Sequence, residues 1–241
     1  MPTETTEDSL FHGKVSVQQY KNGYRFSIDA VLLAGFVNVK PGERLLDPGC
    51  GCGVIPLILA QRYPELQIMG CELQKDLAAL AQANIRANKL DDRVHIIHGD
   101  MRDLTQRETG GALDVMVCNP PFYPVPSGRV NRNTQKAFAR HEIGIELPEL
   151  LAVVKSFLKK GGRFYLIYPA GHLARLLGLL REFNLESKKI RMVHSTVDAS
   201  ARLTLVCAKA GARAGLTVEA PLVIHNTHGR YTPEVQELFK G

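Results

Sequence analysis

The 241-residue sequence predicts an α/β fold in which a mostly parallel sheet is covered by helices on both faces. Three observations point to it. From residue 44 onward, short apolar runs alternate with helical patterns, the signature of βαβ units. A glycine-rich turn follows the first run. A polar residue stands at the end of each of the first four runs: Asp47, Glu72, Asp100 and Asn119. In parallel sheets, ligands bind beyond the carboxyl ends of the strands, so these four are expected along one edge.

The elements follow in order. Residues 1–8 are polar and acidic and are read as a disordered tail. Residues 9–40 form an N-terminal segment, with a helical pattern over 25–37 that starts at Ser27 and carries Asp29 in its first turn. Residues 44–47 are the first strand, and PGCGCGVIPLILAQRY is a glycine turn entering an apolar helix. Pro56 sits early in that helix, where a missing N–H is tolerated. Strands are expected over 67–71, 94–98, 113–118, 163–168, 188–194 and 203–209. Helices are expected over 75–88, 147–158 (closed by Gly161 and Gly162) and 173–183. The whole reads as one domain, 1–241, with 210–241 as a C-terminal extension.

Composition narrows the class. No apolar run approaches the roughly 20 residues that a bilayer span needs, and the polar N-terminus is unlike a signal peptide, so a cytoplasmic location is expected. Cys50, Cys52, Cys71, Cys118 and Cys207 contain no C-x-x-C pair, which argues against zinc. His95 and His98 stand at odd spacing on one strand, and His225 and His228 lack a third partner, so no metal is expected. The net charge of +6 suits a polyanion partner as well as an ordinary basic protein.

Asp47-Pro-Gly49-Cys-Gly51-Cys-Gly53 is G-x-G-x-G between a strand and a helix. Its third glycine comes one residue earlier than in the dinucleotide fingerprint, and it holds no basic residue. A cationic or zwitterionic ligand therefore suits it better than a pyrophosphate, and Asp47 on its rim agrees. Glu72, one βαβ step on, stands where an acid accepts from ribose hydroxyls, and Asp100 is placed to accept from an adenine amino group. Taken singly, each acid is equally a solvated turn residue.

Residues 47–53, Glu72 and Gly99-Asp100 resemble the successive motifs of the class I, Rossmann-like methyltransferases. The resemblance implies S-adenosylmethionine as cofactor. It also implies a seven-stranded sheet with one antiparallel strand, which residues 203–209 would supply. Gly49, Gly51 and Gly53 would contact the methionine part, Asp47 its amino group, Glu72 the ribose, and Asp100 with Met101 the adenine. Cys50-Gly-Cys52 departs from the small or aliphatic residues usual in that loop.

Asn119-Pro120-Pro121-Phe122-Tyr123 is the most specific signal in the chain. Two prolines remove donors but leave carbonyl acceptors, and Asn119 adds a side-chain carbonyl. Such a rim, beside an aromatic ring, suits a flat substrate bearing an amino group. Asn119 Oδ1 and the Pro120 carbonyl are the candidate catalytic acceptors, with Phe122 or Tyr123 stacking on the base. The motif resembles the N/D-P-P-Y/F/W signature of amino-group methyltransferases, which implies the reaction but not the polymer. Residues 26–35, FSIDAVLLAG, resemble the segment before the first strand of the tRNA adenine-37 N6-methyltransferases that modify valine tRNA. By that resemblance, Asp29 packs over the cofactor and the 9–40 segment caps its site.

Residues 127–142, SGRVNRNTQKAFARHE, hold Arg129, Arg132, Lys136, Arg140 and His141 against Glu142 alone. They are read either as a phosphate-gripping loop beside the pocket or as an ordinary basic surface loop. The expected function is N6 methylation of adenine in RNA, with tRNA first, by a monomer or homodimer. A protein glutamine N5-methyltransferase, an rRNA guanine N2-methyltransferase and a non-catalytic cofactor-sensing RNA-binding protein stay open. If the basic stretch grips phosphate, neutralising Arg129, Arg132 and Lys136 together lowers the slope of log binding constant against log salt by about 2 to 3. A salt titration of RNA binding measures this, and an unchanged slope makes the stretch a bystander.

Overall fold

A computed structural model describes residues 4–21, 26–120 and 145–240. In chain order the elements are β1 (Thr5–Leu10), β2 (Val15–Tyr20), α1 (Ile28–Phe36), β3 (Arg44–Pro48), α2 (Val54–Arg62), β4 (Gln67–Glu72), α3 (Lys75–Ala87), β5 (Val94–His98) and β6 (Leu113–Cys118). There follow α4 (Leu147–Phe157), β7 (Leu158–Pro169), a 3-10 turn (Ala170–His172), α5 (Leu173–Glu182), β8 (Leu185–His194), β9 (Ala201–Ala210), β10 (Thr217–Val218), β11 (Leu222–Val223) and α6 (Pro233–Lys240).

The main sheet runs β10-β8-β9-β7-β6-β3-β4-β5, with β11 also on β8. Every pairing is parallel except those of β9, which lies antiparallel to both β7 and β8. This is the mostly parallel α/β sheet with one antiparallel strand. The seven expected strands are β3 to β9. The two additional short strands come from the 210–241 extension, and two residues are too few for a period-two pattern to announce them.

The central strands β3, β6, β7 and β9 are buried on both faces along much of their length, which is why they carry continuous apolar runs. Leu45, Val115, Val117, Ile167 and Leu205 pack on one face beneath α1, α2 and α3. Their chain neighbours Leu46, Met116, Cys118, Leu166 and Val206 pack on the other against α4 and α5. Ser27 caps α1 by accepting the Asp29 N–H at 3.3 Å. The α4 start carries a reciprocal Glu146–Glu149 capping box.

Two expectations are corrected. Residues 5–8 are not a disordered tail: they pair antiparallel with 17–20 as most of β1. Gly161 and Gly162 do not close a helix. Helix α4 ends at Phe157, and the glycines lie within β7, where the register with β6 shifts.

The β1–β2 hairpin is held by two asparagines, Asn84 of α3 and Asn88 at its C-terminal cap. Asn84 Oδ1 accepts the Gln18 N–H at 2.9 Å, and its Nδ2 donates to the Gln18 carbonyl at 2.9 Å. Asn88 makes the same pair with Ser16, at 3.0 and 2.7 Å. Each amide thus satisfies both backbone groups of one strand residue. Replacing Asn84 by Ala takes this partner from both backbone groups of Gln18, in bonds that are part-buried, and is expected to cost about 1–2 kcal/mol. Urea unfolding should show a lower midpoint at unchanged slope, and an unmoved midpoint would mean the hairpin is not held there.

Candidate functional site

The β3–α2 turn is built by three glycines in the left-handed region, at φ +82° for Gly49, +56° for Gly51 and +83° for Gly53, a conformation costly for any residue with a Cβ. The Gly49 and Cys50 N–H groups both donate to the Cys71 carbonyl, at 2.7 and 3.1 Å, fastening the turn to β4. Glu72, buried at the end of β4, accepts the Gly51 N–H on Oε2 and the Gln74 N–H on Oε1, each at 2.9 Å. Each oxygen keeps a further lone pair for another donor. Met101 reaches over the turn, its Cε 3.7 Å from where a Cβ on Gly49 would lie.

Asp47 is the unusual group. It is 1% exposed, and among the described residues neither carboxylate oxygen has a hydrogen-bond partner. Burial, with Glu72 nearby, holds its carboxyl well above the ordinary carboxylate range. The thiols around it are pushed up chiefly by burial: Cys50 and Cys118 strongly, Cys71 to about 12 and Cys52 to about 11. They therefore stay neutral and act as small apolar fillers. Cys50 fits because residue 70 is glycine: a Cβ there would lie 2.7 Å from the Cys50 sulfur.

Strand β6 lies directly beside β3, with Leu45 opposite Val115 and Leu46 opposite Met116. The Cys118 thiol donates to the Pro48 carbonyl at 3.2 Å. Asn119, half-buried, and Pro120, buried, are the next two residues, so they emerge beside the glycine turn. The sheet thus brings Asp47, the three glycines, Glu72, Met101, Asn119 and Pro120 to one edge. Pro121, Phe122, Tyr123, Arg129, Arg132, Lys136 and Arg140 lie outside the described residues.

Asp100 reaches the same edge, but its carboxylate is engaged. Arg102 donates to it from Nε at 3.0 Å and from a terminal nitrogen at 2.6 Å, and that hydrogen bonding holds its pKa below the usual value. Asp29 is half-buried in the first turn of α1. The sequence reading missed Asn84, whose Nδ2 also donates to the Cys52 carbonyl of the turn at 2.9 Å. Its signal was a polar residue on the apolar face of α3, in helical step with Leu77, Ala81 and Asn88.

Residues 25–184 match the family model described as "Methyltransferase small domain". The chain belongs to this methyltransferase family. A relative from Porphyromonas gingivalis, named tRNA1(Val) (adenine(37)-N6)-methyltransferase, is 30% identical over 99% of this chain and 94% of its own. A relative of the same name from Shewanella halifaxensis is 31% identical over 79% of this chain and 73% of its own. Among solved structures, a predicted O-methyltransferase from Agrobacterium tumefaciens aligns with a TM-score of 0.69 at 22% identity, over 87% of this chain and 94% of its own. A geranyl diphosphate C-methyltransferase from Streptomyces coelicolor, solved with S-adenosyl-L-homocysteine, gives 0.53 at 16%, over 75% and 74%. The methyltransferase is thus an enzyme of the S-adenosylmethionine-dependent class, and its edge fits that cofactor. Asp47 offers two buried acceptor oxygens to a ligand with N–H donors, and the glycines leave backbone open to close approach.

Because the folded state raises the Asp47 pKa, stability falls as pH rises from the ordinary value, 3.8, toward the raised one. Below both values the carboxyl is neutral folded and unfolded, and the penalty vanishes. The Asp47→Asn methyltransferase without cofactor is therefore expected to melt higher than the parent at pH 7, with the gap closing toward pH 4. Melting curves across that range test it; a gap independent of pH would mean that burial of the charge is not the cause.

Proposed function

We propose that this methyltransferase methylates the N6 amino group of an adenine in tRNA, the substrate that its relatives' name states, at position 37 of a valine tRNA. The observation that carries the proposal is the juxtaposition of two features at adjoining strand ends. The Asn119-Pro120 acceptors lie beside the glycine turn, joined through the Cys118–Pro48 contact at 3.2 Å.

S-adenosylmethionine supplies, when bound, a methyl group already activated by its sulfonium. Asp47 takes its amino group, the backbone of Gly49, Gly51 and Gly53 its methionine part, and Glu72 its ribose. Asp100 and Met101 flank its adenine, and Asp29 packs above. The harder task falls to the amine, whose lone pair is delocalised into the ring. Asn119 Oδ1 and the Pro120 carbonyl accept its two N–H bonds. This favours a pyramidal nitrogen with the lone pair exposed. The same two dipoles stabilise positive charge developing on nitrogen.

Phe122 is assigned to stack on the base, and Pro121 and Tyr123 to bind the substrate; one such stack is worth about 1–3 kcal/mol. Arg129, Arg132, Lys136 and Arg140 take phosphates. The target base must be unstacked from its neighbours to enter, as in a tRNA loop. The protein's five cysteines, all unpaired, accord with a reducing, cytoplasmic setting.

Mass spectrometry of nucleosides from tRNA treated with the protein and cofactor should show N6-methyladenosine. A methylguanosine product, or label transferred only to protein, would overturn the assignment. The Asn119→Ala variant should lose turnover by about 10²-fold or more while its cofactor Kd stays within about twofold. Loss of cofactor binding instead would mean that Asn119 supports the cofactor rather than the amine.

A further inference from the structure

The carboxyl edge continues past Pro120 into a row of cations that neither the glycine turn nor the proline motif uses. Cys118 pairs with Leu166, the last pair of β6 with β7, and β7 runs on through Tyr168 to Pro169 on the side of the sheet where Asn119 and Pro120 leave β6. Pro169 pairs with Leu203, so Arg202 follows at the next position beside the 3-10 turn. Arg175 lies in the first turn of α5 and acts electrostatically on the half-buried Tyr168. His194, at the end of β8, leads to a turn closed by the contact of its Nδ1 with the Ala199 carbonyl at 2.7 Å. Beyond β11, the N–H groups of Ile224 and His225 donate to His194 and Ser195, at 2.8 and 2.9 Å, which carries the 224–231 loop onto the same edge.

That loop is stiff. Asn226 Oδ1 accepts the N–H groups of His228 and Arg230, at 3.0 and 3.1 Å. Its base is held by a stack of His225 on Tyr231 at 5.2 Å and of Tyr231 on Phe239 at 5.5 Å. It therefore presents Arg230 and His228 to solvent at a fixed place.

Three features mark this edge as a docking surface for a polyanion. Arg175, Arg202 and Arg230 are exposed, and among the described residues none has an ion-pair partner. By contrast, Lys189 and Arg191 of the neighbouring β8 are tied to Glu219 and Glu234. Across residues 168–175, 194–202 and 224–232, Asp198 is the sole acid. The row leads directly away from Pro120. From β6 to β11 it crosses four interstrand spacings, about 19 Å, a span suited to several consecutive phosphates of one strand.

We infer that RNA leaving the target pocket lies across the ends of β7, β9, β8 and β11, with its phosphates on Arg175, Arg202 and Arg230. This rests on the proposed tRNA methyltransferase reading. It adds a second contact surface, carried by strand ends, a helix start and the 224–231 loop, to the one expected from the 127–142 stretch. Phosphate contacts of this kind position the strand without reading bases.

The test uses the full chain with a valine tRNA transcript. Arg175→Gln, Arg202→Gln and Arg230→Gln are combined in one variant; Lys160→Gln with Lys209→Gln, at the amino end of the sheet, is the control. The triple variant should bind tRNA on the order of tenfold more weakly and lower the salt slope by about 2 to 3. Its KM for tRNA should rise while its kcat stays close to the parent's. Its melting temperature and cofactor Kd should match the parent's, since the three side chains are exposed. The control should keep the parent's slope. A parent that methylates tRNA while the triple variant keeps its slope and KM would overturn this surface and leave the function standing. An equal loss in the control would reduce the effect to net charge and overturn it too. A parent that neither binds nor methylates tRNA would remove the function first and this surface with it.

Discussion

The site depends on one carboxylate. Glu72 closes β4 by accepting the Gly51 N–H from the turn after β3 and the Gln74 N–H at the start of α3. Two adjacent βα junctions are thereby locked to a single buried anion. The Cys71 carbonyl adds two further bonds to the same turn. With three residues in the left-handed region, this turn would otherwise have much conformational freedom. Its shape is imposed by the neighbouring strand rather than by its own sequence.

The charge arrangement follows from that lock. Glu72 is buried but satisfied, whereas Asp47, one strand away, is buried without a hydrogen-bond partner among the described residues. A buried acceptor without a donor is costly, and groups of this kind gather where a ligand completes them. The four cysteines nearby keep the surroundings of low polarity, which strengthens any interaction that Asp47 makes there. Stability of the empty protein and readiness for a cationic ligand thus oppose each other at one side chain.

Much of this was legible in the sequence. Asp47, Glu72, Asp100 and Asn119 stand within two residues of the ends of β3 to β6, and apolar runs that stop at a polar residue announce both strand and edge. The glycine turn and the Asn119-Pro120 rim were visible because their residue types have few other uses in that setting. What was hidden depended on distant partners. The polar run Thr5–Leu10 looks like a tail until β2 is placed against it, and β2 is in turn held by the amides of Asn84 and Asn88, some 70 residues away. Asp100 reads as a free acceptor until Arg102 is seen to grip it. The cation row could not be read at all, since Arg175, Arg202 and Arg230 meet only through the order in which β7, β9, β8 and β11 are laid down.

The β1–β2 turn meets α6. The Phe11 N–H, just past β1, donates to the Phe239 carbonyl of α6 at 2.9 Å, and Arg62 donates to the Leu238 carbonyl at 2.9 Å while its guanidinium lies over the Phe11 ring. Gly35 of α1 lets Leu238 approach so closely that an added methyl would lie 2.6 Å from it. Local opening, which usually starts independently in separate elements, is here shared by the hairpin and α6. Peeling α6 away frees a backbone donor in the hairpin and uncovers α1, so protease or exchange sensitivity gained in α6 should be inherited by the hairpin.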